Sequence, residues 1–284
     1  MLQPGKPPDI SVNDDGRYTP EVGSWGEEKY RLLWYYADLF ATSMKSKWGQ
    51  RVYIDLFAGS GFARLRGTMR VVLSSPLLAL SVNNPFDCYI FCDSNADCIK
   101  ALSERVEARR SDASVKYVPG DANNSVDQIL SAMPRYSQNH KVLAFCFVDP
   151  FQLSSLRFET VKALSTRFID FLVHIPAMDP LRNIRRYASV KNNIVDHFLG
   201  TDSWRRSWED QRGHIGFDLF IARMFDDQMK SLSYRFGGVE ETVLIRSDEK
   251  NLPLYRLGFF SRHELGGKFW RQARMYSDPQ FKLF

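Results

Sequence analysis

Apolar and polar positions along this chain follow two periods. From Glu27 to Met44, Tyr30, Leu33, Trp34, Ala37, Phe40 and Ala41 recur at spacings of three and four, which predicts an amphipathic helix. Short, nearly continuous apolar runs then alternate with longer amphipathic stretches. Val52 to Phe57 predicts a strand that leads into Ala58-Gly59-Ser60-Gly61. Tyr89 to Cys92 predicts a second, ending at Asp93, and Ala96 to Arg109 a helix with Ile99, Leu102 and Val106 inward. Val115 to Val118 closes on Pro119-Gly120-Asp121, Val142 to Val148 on Asp149-Pro150-Phe151, and Phe168 to Ile175 on Pro176. Glu241 to Arg246 and Leu254 to Phe260 are β-rich and joined by a turn-forming linker, Ser247 to Pro253, which reads as an antiparallel hairpin.

Strands alternating with helices imply βαβ units and a parallel sheet, and continuous apolar strands imply one covered on both faces. The expected fold is therefore α/β, doubly wound, with a mostly parallel seven-stranded sheet. Five parallel strands closed by an antiparallel pair resemble the layout of the Rossmann-like class I methyltransferases. Residues 1–20, rich in Pro, Gly and Asp, read as a flexible N-terminal segment, and 21–284 as a single domain. Within it, 177–236 is charged, helix-prone and carries Trp204 and Trp208, so it reads as a helical insertion or cap.

The chemistry-bearing residues fall at the strand ends. Asp55-Leu-Phe57-Ala-Gly59-Ser60-Gly61 puts two glycines in a strand-to-helix turn, where they permit close backbone approach to a ligand. The dinucleotide fingerprint needs a third glycine where Arg64 stands, so that reading fails. The pattern resembles instead motif I of S-adenosylmethionine (SAM) methyltransferases, in which the turn cradles the amino-acid end of SAM and the acidic residue sits near its ammonium. An ordinary tight turn is the competing reading. Asp93, followed by Ser94, either accepts hydrogen bonds from a ribose diol or caps the next helix. It lies 32 residues beyond Gly61 rather than the usual ~20, the surplus being Phe62 to Ser75 with Arg64, Arg66 and Arg70. Asp121 and Ala122 stand where such enzymes meet the adenine, or else form a plain turn.

Asp149-Pro150-Phe151 resembles a shortened form of the Asp/Asn-Pro-Pro-Tyr/Phe motif of amino-methylating enzymes. There the carboxylate and a prolyl carbonyl hold an exocyclic NH2 while the aromatic ring stacks on a flipped base. The alternative is a strand-ending Asp-Pro turn. No Walker-type or GxSxG motif occurs, and His140, His174, His197, His214 and His263 show no ligand spacing, so no metal is expected. His174 reads as a core or rim residue.

Composition changes this picture little. With 284 residues, 44% hydrophobic and 25% charged, the chain can bury a full core. Its net charge of +5 permits a nucleic-acid partner without demanding one. Cys88, Cys92, Cys98 and Cys146 read as buried free thiols of a reducing, cytoplasmic compartment, and no apolar run is long enough to span a membrane.

Three stretches together resemble the three-Cys-motif partner family. They are Val22-Gly-Ser-Trp25-Gly-Glu-Glu-Lys29-Tyr30-Arg-Leu-Leu33 leading into Tyr53 to Gly59, Ser75-Pro76-Leu77-Leu78-Ala79, and Tyr255 to Trp270 with Ser261, His263 and the final Trp. The resemblance spans residues 22–270, with Ser60 where many relatives carry Pro. It implies a SAM-dependent methyltransferase and a partner protein whose three cysteines are not those of this chain. It also matches Trp25 and Lys29 to positions that line the cofactor mouth or else form a helix face. The expected function is methylation of an exocyclic amino group of a nucleic-acid base. A non-catalytic SAM- or nucleotide-binding subunit, or a methyltransferase for a small or protein-borne substrate, stands as the alternative.

Overall fold

The chain begins with β1 (Ser11–Val12), β2 (Glu21–Val22), α1 (Gly26–Met44), β3 (Gln50–Asp55), β4 (Phe62–Leu65), β5 (Val71–Leu73) and α2 (Ser75–Leu80). It continues through β6 (Cys88–Asp93), α3 (Ala96–Arg110), β7 (Val115–Pro119), α4 (Val126–Ala132), β8 (Val142–Val148), α5 (Phe158–Leu164) and β9 (Ile169–Pro176). Five helices follow: α6 (Met178–Arg182), α7 (Ile184–Ala188), α8 (Ile194–Leu199), α9 (Trp204–Gln211) and α10 (Phe217–Ser231). The last elements are β10 (Phe236–Gly237), β11 (Val243–Arg246), β12 (Pro253–Ser261) and α11 (Glu264–Ser277). This computed structural model describes residues 5–23, 26–247 and 250–277.

Alternation along the strands builds the layers. Val52, Ile54 and Leu56 enter one apolar cluster and Tyr53 the other, on the opposite face of the sheet. The first cluster packs under α4, α5 and α8–α10, the second under α1, α2, α3 and α11. With both faces covered, strands such as β8 are apolar at nearly every position.

The fold is α/β and doubly wound. The sheet order is β10-β12-β9-β8-β3-β6-β7, parallel throughout except at β12, which runs antiparallel to β9, β10 and β11. Because β9 takes one edge of β12, β10 and β11 share the other, so one outer position of a seven-place sheet is filled by two short strands. The expected terminal hairpin is β11–β12. Of its linker, Asp248 and Glu249 lie outside the described residues.

Two regions differ from expectation. Residues 5–20, expected to be a flexible lead-in, pack against the domain. β1 and β2 join β4 and β5 in a separate four-stranded sheet of order β1-β5-β4-β2. The unexplained stretch after Gly61 is thus a hairpin that this segment covers. Its arginines are used internally: Arg64 meets Asp14 at 2.5 Å, and Arg70 meets Glu27. The insertion differs as well. Trp204 and Trp208 are buried in the same cluster as β3 and β8, so α8–α10 form a layer of the sheet's own core. Those tryptophans are packing residues and offer no seat to a substrate.

Cys88, Cys92, Cys98 and Cys146 are free and buried. Among the described residues, no helix is long and apolar enough to cross a membrane.

Candidate functional site

Parallel registers bring the strand ends to one edge of the sheet. Asp55 pairs with Phe91 and Phe147, and Asp93 with Pro119, so the loops after β3, β6, β7 and β8 lie side by side. Every strand-end residue singled out in the sequence belongs to this edge.

The glycine turn is held by two charged groups. Asp93, at the end of β6, accepts from the Gly59 amide at 2.7 Å and from the Asn95 amide at 2.8 Å. The helix cap is Asn95, whose side chain accepts from the Asp97 and Cys98 amides, so the capping reading of Asp93 falls. Its carboxylate is half-buried, between the turn and exposed Ser94. On the other side, Arg105 is 2% exposed. Its guanidinium donates to Asp15 (2.9 and 2.7 Å), to the Ser60 carbonyl (2.8 Å) and to the Tyr18 carbonyl (3.0 Å). Arg105 holds the Asp15 carboxyl well below the usual carboxylate range, and the bridge ties the N-terminal stretch to the turn.

The two glycines serve different ends. Gly59 has φ +62°, and a Cβ there would meet nothing within 4 Å: the turn opens onto free space. Gly61 has φ +83°, and its Cβ would lie 2.9 Å from Leu102 Cδ1 and 3.1 Å from Leu77. Left-handed backbone costs a non-glycine residue ~1–2 kcal/mol, and overpacking adds to it. Gly61→Ala is therefore expected to lose about 2 kcal/mol or more in urea unfolding, and an unchanged midpoint would refute the packing role.

Three of the residues expected at the ligand have side-chain partners within the protein itself. Asp55 is fully buried; its carboxylate takes hydrogen bonds from the Tyr53 hydroxyl (3.2 Å), the Phe57 amide (3.3 Å) and Ser75. It shapes the turn from below and reaches no solvent. Burial pushes its carboxyl up to about 7, with the Asp149 charge adding to the rise. Ser60 is also fully buried, its hydroxyl turned to the Phe62 carbonyl and to Arg105, which holds its carbonyl as well. Asp121 is exposed, but its Oδ1 folds back on the Asn123 and Asn124 amides as an Asx turn, beside buried Ala122.

Asp149 is paired with two basic groups of the protein. Lys29, on the first turns of α1, reaches its Oδ2 at 2.5 Å. His174 of β9 places Nδ1 3.0 Å from Oδ1, at an angle that falls short of a hydrogen bond. Burial alone would raise the Asp149 carboxyl, but Lys29 and His174 outweigh it and hold the group well below the usual carboxylate range. Burial lowers His174, which favours its neutral form. Tyr255 closes the group, edge-on to His174 at 4.2 Å and 5.7 Å from the Lys29 ammonium. Pro150 is buried, while the Phe151 ring stands 92% exposed at the mouth.

Lys29 entered the sequence reading only through a family block, and His174 was set aside as a core or rim residue. No spacing signal links either to Asp149. Trp25, paired with Lys29 in that block, lies outside the described residues.

No protein-family model matches this chain, and no curated protein matches it. Solved structures are similar at low identity. Protein LPL1258 from Legionella pneumophila is 11% identical over 87% of this chain and 91% of its own, with a TM-score of 0.49. An O-methyltransferase from Bacillus cereus in complex with SAH is 10% identical over 79% and 80%, TM-score 0.41. The N-terminal domain of human METTL16 in complex with SAH is 12% identical over 80% and 68%, TM-score 0.38.

Proposed function

We propose that this protein is a SAM-dependent methyltransferase whose acceptor is an exocyclic amino group of a nucleic-acid base. The observation that carries the reading is convergence on the carboxyl edge of the sheet. There the open Gly59 turn, half-buried Asp93 and exposed Phe151 beside an ionised Asp149 lie on adjoining loops, which we take as the walls of a cofactor cleft. The residues fit the cofactor: a Cβ-free cradle would receive its amino-acid end, and the Asp93 carboxylate keeps acceptor capacity for a ribose hydroxyl. SAM, when bound, supplies an electrophilic methyl group.

The chain's own groups then have assignable work. Asp149 Oδ1 is shut off from solvent beside His174, so Oδ2, which Lys29 already holds, is the oxygen left to accept from an acceptor N–H. Lys29 keeps that oxygen charged and fixed in direction. Phe151 offers a full ring face for a base. Exposed Arg182, Arg185, Arg186 and Lys191 follow β9 on the same edge and suit phosphate contacts. The three-Cys-motif resemblance supports a second protein as the means of substrate delivery.

Tritium transfer from labelled SAM to total RNA and to DNA, beside calorimetric SAM titration, tests this. Asp93→Ala is expected to abolish SAM binding. Phe151→Ala is expected to leave SAM binding intact and to lower transfer at least tenfold. Transfer that is indifferent to Phe151, or found only on protein, would sink the base-acceptor reading.

A further inference from the structure

At the opposite edge of the sheet, about 20 Å away given the seven residues of β8, lies a second assembly that the cleft does not use. It is built by the loops before β3, β8 and β9 and the turn after β12. Three aromatic rings follow one another there: Tyr136 to Phe168 at 5.3 Å, and Phe168 to Trp48 at 5.8 Å between centroids. Tyr136 and Phe168 are 46% and 49% exposed, an unusual state for large rings. Trp48 and Phe168 form the lip of a cavity of about 410 Å³ whose walls include Phe40, Met44, Leu143 and Phe269.

Exposed Lys47, Arg135, Lys141, Arg167 and Arg262 lie on these same loops. None of the five has an ion-pair partner among the described residues, although Arg262 donates to the Leu232 and Arg167 carbonyls and stacks on Tyr234, which leaves Lys47, Arg135, Lys141 and Arg167 as the free cations. The acids of this edge are already engaged: Asp87 by Arg51, Glu264 by Lys268, and Asp170 by the Tyr36 hydroxyl and Ser261. With its acids so held, the charge left unpaired on this rim is positive.

We propose that this edge is a binding site for single-stranded nucleic acid, separate from the cleft. Aromatic faces interleaved with uncompensated cations are what sequence-tolerant single-strand sites use: bases stack on the rings and phosphates lie along the charges. The cavity is large enough for one base to leave the strand and enter beside Phe168. His263 at its mouth supplies a polar group for a base edge. The site needs no SAM, so it stands or falls independently of the methyltransferase reading.

Fluorescence anisotropy with 5′-fluorescein-labelled oligo(dT) and oligo(U) twelve-mers, across a salt series and without SAM, tests it. Wild type is expected to bind, more weakly as salt rises. Phe168→Ala is expected to weaken binding about tenfold. The exposed pair Lys47→Glu/Arg167→Glu is expected to weaken it further and to lower the salt slope by about 2. Circular dichroism melts confirm that both variants fold. No binding by wild type at low salt overturns the proposal, as does binding that both variants retain. Loss confined to Arg185→Glu/Arg186→Glu would locate the strand at the cleft and overturn it too. Competition by polyglutamate as effective as by unlabelled oligonucleotide would identify the face as a dock for an acidic protein segment.

Discussion

Lys29→Met is expected to destabilise the protein by about 3–5 kcal/mol, read as a lower urea midpoint at neutral pH. The methionine keeps the apolar stem but leaves Asp149 a buried carboxylate with no cation. Lys29 and Asp149 are only 12% and 15% exposed in their side chains, so the loss follows the rule for broken buried pairs and not the small one for surface bridges. The pH dependence has a definite sign. Asp149 is depressed in the folded protein, so the pair's contribution is present above the unfolded carboxyl value, ~3.9, and is lost as pH falls through the lower folded value. In Lys29→Met, burial acts on Asp149 without its main opponent. The deficit should therefore be largest at neutral pH and shrink in acid as the carboxyl protonates. A deficit under 1 kcal/mol, flat with pH, would mean the ion pair holds nothing. The double variant Lys29→Met/Asp149→Asn should recover much of the loss, since it removes both charges together.

Asp55 predicts a dependence of opposite sign. Its carboxyl is raised from 3.8 to about 7, so the folded protein holds a proton that the unfolded chain gives up. Stability should accordingly be greatest below pH ~4 as far as this group is concerned, and fall between about 4 and 7. Three units correspond to about 4 kcal/mol at 1.36 kcal/mol per unit, an upper figure for one buried group. Asp170, raised by burial to about 6, adds a decline in the same direction. Asp55→Asn keeps an acceptor for the Phe57 amide and removes the ionisation, so it should raise stability at pH 8 by a few kcal/mol and flatten the profile. Urea unfolding at pH 5 and pH 8 on both proteins decides it. A wild type equally stable at the two values, with no gain in Asp55→Asn, would show that the carboxyl ionises freely in place.

Asp55 is retained beneath the glycine turn although burial opposes its charge, and it lies near enough to Asp149 for the two to raise each other's cost of ionisation.

The sequence by itself determined the layers of this protein and the edge on which its chemistry lies. Apolar strands buried on both faces sit inside a sheet covered by helices on either side, and Gly, Asp and Pro at strand ends mark the loops that such a sheet aligns. β8 was bounded to the residue, and α1 and α3 to within one, because period and end signals agree there. The short strands β1, β2 and β10 left no trace, since two residues carry no period. Tertiary structure alone decided which groups meet. Lys29 and Asp149 are 120 residues apart, and nothing local to α1 marks one lysine as buried. Asp55 and Ser60 belong to the motif by spacing, and packing turned both side chains inward onto Tyr53, Phe57, Phe62 and Arg105. The basic aromatic edge, too, is assembled from four loops that only the folded sheet brings together. Periodicity is a property of neighbours in sequence, whereas a site is made by residues that register, burial and charge bring together from distant segments.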